Sequence, residues 1–125
     1  MTDSQYIGYK LLNDATVSGY VGTRIYFGNA PESIITYPYI TYFLIGYSNN
    51  QTRRDRRHYQ ISIRDKNREQ IKTIAYAIET LFETKQEAVS GLDVQLVYWD
   101  QTNMLTEDDD VYHIAIDIYI EFEPT

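Results

Sequence analysis

The chain has 125 residues, no cysteine, and 18 acidic against 11 basic side chains, for a net charge of −7. That length fits one domain with room for a real core, and the missing thiols exclude a disulfide framework, an iron–sulfur cluster and a thiolate nucleophile. The first 20 residues hold Asp3, Asp14 and only Lys10 without an apolar run, so no secretion signal is expected, and no stretch approaches the roughly 18 apolar residues of a membrane-spanning helix.

Ile7, Leu11 and Leu12, flanked by Tyr6 and Tyr9, recur at helical spacing, with Asp3 or Ser4 as cap and Asn13 and Asp14 as the exit. A helix of about three turns is marginal alone and must dock on a sheet. Residues 17–22, with Gly19 and Gly22, lead into a short strand over 23–27, closed by a turn through Gly28 and Pro31. Pro38 biases Tyr37 toward extended backbone, and residues 39–44 form a β-favouring strand with two fairly apolar faces. Residues 46–58 are polar and arginine-rich and read as a loop, flexible over 47–57. Beyond it Tyr59, Ile61 and Ile63 alternate with Gln60, Ser62 and Arg64 as a half-buried strand that closes a hairpin.

The main helix is the clearest element. Ile71, Ile74, Ala75, Ile78, Leu81 and Phe82 form one apolar stripe, and Asn67 with Gln70 can make a capping box. The helix is expected to end near 84–86. Strands over 92–99 and 111–122 finish the chain around an acidic loop at 106–110. In the last strand Tyr112, Ile114, Ile116, Ile118, Ile120 and Phe122 share one face, a one-sided core signal. The order α-β-β-β-α-β-β predicts a single α+β domain over 1–125, a mostly antiparallel sheet with two helices packed on one face.

No residue set points to catalysis. His58 and His113 stand in no metal-binding spacing. His113 and Asp117 lie on one strand face, where both are expected to meet water or a neighbouring subunit, but about 13 Å apart. Glu107, Asp108, Asp109 and Asp110 lack the glycine that wraps a cation loop, and read as a solvated loop or a charged patch facing a partner. No phosphate loop or nucleophile elbow is present. No catalytic, metal or cofactor residue is therefore assigned.

Charge is unevenly placed. Residues 53–72 carry eight basic groups against three acidic ones, a net of +5, whereas residues 79–125 carry 12 acidic groups against Lys85, a net of −11. Such polarity suits head-to-tail association between copies. Arg53, Arg54, Arg56 and Arg57 can remain solvated, fork onto carboxylates of an adjoining protein, or grip phosphates. The negative overall field argues against DNA as the main ligand. Thirteen tyrosines against one tryptophan and four phenylalanines suit half-buried sheet faces or subunit contacts.

The run Val21-Gly22-Thr23-Arg24-Ile25-Tyr26, followed by Pro31 and Tyr37-Pro38-Tyr39-Ile40, resembles the phage tail-completion, or tail-terminator, proteins of long-tailed bacteriophages. The likeness covers nearly the whole chain and brings no catalytic signature. It implies a virion component that forms a ring, commonly a hexamer, at the head-proximal end of the tail tube. There it would stop tube polymerisation and meet the head-completion protein, with the major tail tube protein below and DNA passing through the lumen unread. Another head–tail connector or minor tail component is the alternative. The isolated domain is expected to be a monomer, assembling only on a tail end. In this frame Arg53, Arg54, Arg56 and Arg57 pair with Glu107 to Asp110, or with Asp117 and Glu121, of the next copy. Gly22, Arg24 and Pro38 define the turn, with Arg24 reaching a carboxylate near the strand end.

Overall fold

Helix α1 (Asp3–Asn13) is started by Thr2, one position before the expected caps. The Thr2 hydroxyl accepts from the Gln5 N–H at 3.2 Å and the Gln5 carboxamide accepts from the Thr2 N–H at 2.9 Å, a reciprocal capping box. The computed structural model describes residues 2–31, 36–49, 55–83, 85–89, 92–106 and 111–124.

A second helix, α2 (Ala15–Val21), replaces the lead-in expected over 17–21. Its sequence is a poor helix former, with β-branched residues and Gly19. Burial overrides that preference: Val17 and Val21, four residues apart on one face, are fully enclosed. The Asp14 carboxylate caps it by accepting from the Val17 N–H at 3.0 Å. Gly22 stops it at φ +59°, in the left-handed region, with its N–H donating to the Ser18 carbonyl at 2.8 Å.

The remaining elements are β1 (Ile25–Phe27), β2 (Tyr39–Asn49), β3 (Asp55–Asp65), α3 (Arg68–Leu81), β4 (Lys85–Val89), β5 (Leu92–Thr106) and β6 (Tyr112–Pro124). The fold is α+β, with three helices and a mixed six-stranded sheet in the order β1-β2-β3-β6-β5-β4 among the described residues. Only β1 and β2 run parallel; the other neighbours are antiparallel. The expected order thus gains α2 and β4. β4 falls where the sequence suggests the fading end of a helix. It lies at the sheet edge, and pairing with β5 holds it without an alternating apolar pattern.

The polar loop expected at 46–58 is largely strand. Tyr47, Ser48 and Asn49 pair with Arg57, Arg56 and Asp55, after a bulge between Leu44 and Gly46. Ladder bonds are made by backbone groups and do not require apolar side chains. The tip, 50–54, and the acidic segment 107–110 lie outside the described residues.

The three helices cover one sheet face. Ile71, Ile74, Ala75, Ile78 and Phe82 meet Tyr59, Ile61 and Ile63 of β3 and the even-numbered residues of β6 in one core. α1 adds Tyr6, Ile7 and Leu11, whereas Leu12 stays outside, 46% exposed. Asn67 caps α3 through the Glu69 and Gln70 N–H groups. The Gln70 side chain does not close the expected box; it donates to buried Asp65 at 2.9 Å, and Asp65 accepts from the Asn67 N–H at 3.2 Å. Among the described residues no helix is long and apolar enough to cross a membrane.

Candidate functional site

The turn signature is held by one guanidinium. Arg24 follows α2 and precedes β1. Its Nε donates to the Pro38 carbonyl at 2.9 Å and its Nη2 to the Tyr20 carbonyl at 3.2 Å. It therefore clamps the C-terminal end of α2 to the cis Tyr37–Pro38 peptide at the start of β2. The expected carboxylate partner is replaced by two carbonyls, groups that a helix end leaves unsatisfied.

On β3, Arg56 and Arg57 point to opposite faces of the sheet, as strand alternation requires. Arg56 lies on the face away from the helices. Its Nη2 donates to the Tyr98 hydroxyl at 2.8 Å, and its guanidinium sits 4.2 Å from the Tyr119 ring centre. Tyr119 is stacked between His58, at 4.5 Å, and Tyr98, at 5.4 Å. The register produces this ladder, because His58, Tyr119 and Tyr98 occupy one row across three strands. Arg57 faces the helix side, 5.7 Å from the Phe122 ring. Arg53 and Arg54 are outside the described residues. Arg56 and Arg57 thus do not form one cluster.

Two residues further along, Asp117 is a buried carboxylate, 4% exposed. Gln60 donates to it at 3.2 Å and Gln101 at 2.8 Å, with His58 Nε2 at 3.3 Å. Both oxygens are satisfied in place, so Asp117 is not open to an incoming arginine. Sequence reading put it at the surface. Its position in the middle of the longest apolar-alternating strand is the signal that marked it as partnered. His113 is also buried, opposite Arg64. No group of three potential metal ligands occurs among the described residues.

Glu107, Asp108, Asp109 and Asp110 are outside the described residues, but the strand ends that bracket them are placed. Asp65 of β3 lies opposite Tyr112 of β6, while Asp55 lies opposite Phe122. The Asp55 end of β3, next to Arg56 and Arg57, and the Asp65 end, next to Arg64, are therefore ten residues apart on β6, or about 33 Å at strand rise. Within one copy they mark opposite ends of the sheet.

Two tyrosines under α1 have hydroxyls pushed up from their usual pKa. Burial is the main cause for Tyr59, followed by its hydrogen bond to the Asp3 carboxylate; burial alone raises Tyr42. Both fix α1 on the sheet. An open groove of about 340 Å³ between α2 and α3 includes Asp14, Thr73, Tyr76 and Leu81. Its one carboxylate already caps α2, which leaves no chemistry there.

No curated protein sequence matches the chain. Among solved structures, one chain from the virion of a native gene transfer agent particle is 17% identical, with a TM-score of 0.75 over 94% of this chain and 91% of that one. A second solved chain is 12% identical, with a TM-score of 0.59 and 99% of each chain covered. At these identities the likeness is one of fold. The model of the family described as tail completion protein gp17 matches residues 5–122, from α1 into β6. The chain belongs to the tail completion protein gp17 family and is a phage tail structural protein.

Proposed function

We propose that copies of this chain close into a ring at the head-proximal end of the phage tail tube. The ring ends tube polymerisation and offers the surface that meets the head-completion protein. Family membership over residues 5–122 is the observation that carries this reading. The separation of Arg56 and Arg57 from the strand ends that bracket the acidic segment supports it. A cyclic ring joins unlike faces of successive subunits, and a subunit whose Arg56 and Arg57 lie far along the β3–β6 pair from the start of β6 suits such joints. In this reading Arg53, Arg54, Arg56 and Arg57 serve one joint face and Glu107, Asp108, Asp109 and Asp110 the other. The ring rests on the major tail tube protein, and DNA passes its lumen without being read.

Electron microscopy of particles assembled without this chain tests the role. Tails of uncontrolled length, or full heads and finished tails that fail to join, are the expected result. Normal tails on filled heads would overturn it. A different head–tail connector would give joined particles with another defect at the same junction.

A further inference from the structure

Both edges of the sheet are stepped. β4 pairs with β5 only from Leu92 to Val97, so the outer edge of β5 from Tyr98 to Thr106 has no strand beside it among the described residues. β1 pairs with β2 only from Ile40 to Tyr42, and the outer edge of β2 from Phe43 to Asn49 is open in the same way. The two steps are complementary. Register carried across the sheet sets β1 level with Thr102, Asn103 and Met104 of β5, and the start of β4 level with Tyr47 of β2. Each strand that projects at one edge is thus level with the recess at the other edge.

Exposed apolar side chains repeat the match. Phe27, on the helix-facing side of β1 opposite Tyr42, is 58% exposed, and on the same side of β5 Trp99 is 39% and Met104 45% exposed. Trp99 is held there by a relay: its Nε1 donates to the Thr102 hydroxyl at 2.9 Å, and that hydroxyl donates to Glu79 Oε2 of α3 at 2.5 Å. An unpaired strand edge is a template for another strand. We propose that copies of this chain join edge to edge, with β1 of one copy seated antiparallel against Tyr98–Thr106 of its neighbour and the neighbour's β4 seated parallel against the open edge of β2. This rests on the reading that copies of the chain adjoin in the tail. The occupant is a second copy because its own opposite edge fills both recesses at once, and brings Phe27 to Thr102 and Trp99. The two edges are unlike, so the joint is heterologous and repeats around a ring.

The chain has no cysteine, so an introduced pair reports without background. Tyr26, half-buried, and Asn103, exposed, are level with each other on the sheet face away from the helices. Within one copy three strands separate them, a distance of about 19 Å that no disulfide spans. Particles assembled with Tyr26→Cys and Asn103→Cys and then mildly oxidised should give a ladder of linked copies that reductant collapses, whereas either single variant should stay unlinked. Particles that contain the double variant and join normally but give no ladder overturn the edge joint, as do dimers from a single variant; either result leaves the tail role standing. Charge supplies a second readout that needs no cysteine. Tyr26→Glu with Asn103→Glu sets like charges across the joint, and Tyr26→Lys with Asn103→Glu sets opposite ones at the same two positions. The like-charge variant should give an infectious titre about tenfold or more below the other, with circular dichroism showing both folded. Equal titres overturn the proposal.

Discussion

Gly8 of α1 lies directly over the hydroxyl of Tyr42 in β2: a Cβ built on the glycine would sit 2.7 Å from the phenolic oxygen. The close approach explains a glycine in the middle of a helix, where it weakens the helix relative to alanine by roughly 1 kcal/mol. Tyr42 is itself buried, so its ring has little room to retreat. Gly8→Ala should therefore destabilise the domain by about 1–3 kcal/mol in spite of the better helix former. Adding Tyr42→Phe removes the oxygen and should recover most of that loss. Urea unfolding of the two single variants and the double variant gives the coupling directly.

Arg24→Lys should lower stability by about 1–3 kcal/mol, since an ammonium cannot supply the two directed N–H bonds that reach Pro38 and Tyr20. The expected signature is a lower urea midpoint with an unchanged denaturant slope. A midpoint within error of the parent would mean that the clamp contributes nothing.

Alkaline pH should unfold the domain. Tyr59 and Tyr42 have pKa values raised in the folded state. The unfolded chain therefore loses these protons first, near pH 10. Stability is complete below that pH and falls as pH rises further, by up to about 1.4 kcal/mol per pH unit for each tyrosine. Tyr59→Phe should flatten the decline measured between pH 10 and 12.

Replacing Arg53, Arg54, Arg56 and Arg57 together with serine, which the sequence suggests would leave the fold intact, mixes two effects. Arg56→Ser breaks the bond to Tyr98 and uncovers Tyr119, a loss of about 1–2 kcal/mol. Arg53→Ser with Arg54→Ser is the cleaner probe. Its melting temperature should match the parent, and particle assays should show impaired tail completion. Full infectivity would remove these two arginines from any joint.

The apolar rows of α3 and β6 were legible in the sequence because each runs for several turns or residue pairs with one face fully buried. α2 was hidden, since Val17 and Val21 earn their helix from packing and not from local preference. The outer halves of β2 and β3 were hidden by polarity; backbone pairing carries them regardless of side chain. For the turn, the residues were marked correctly but Arg24 was given the wrong partner, because a carbonyl acceptor leaves no trace in side-chain sequence. The hydrogen bonds that run from Trp99 through Thr102 to Glu79 were not seen at all. They depend on a bulge in β5 and on Glu79 arriving from a helix twenty residues earlier in the chain.

The strand register between β3 and β6 also gives each copy a direction. It holds Arg56 and Arg57 at one end of an antiparallel pair and Arg64 at the other, with the start of β6 beside the second. Inserting whole residue pairs into both strands would lengthen that separation without turning any side chain to the other face.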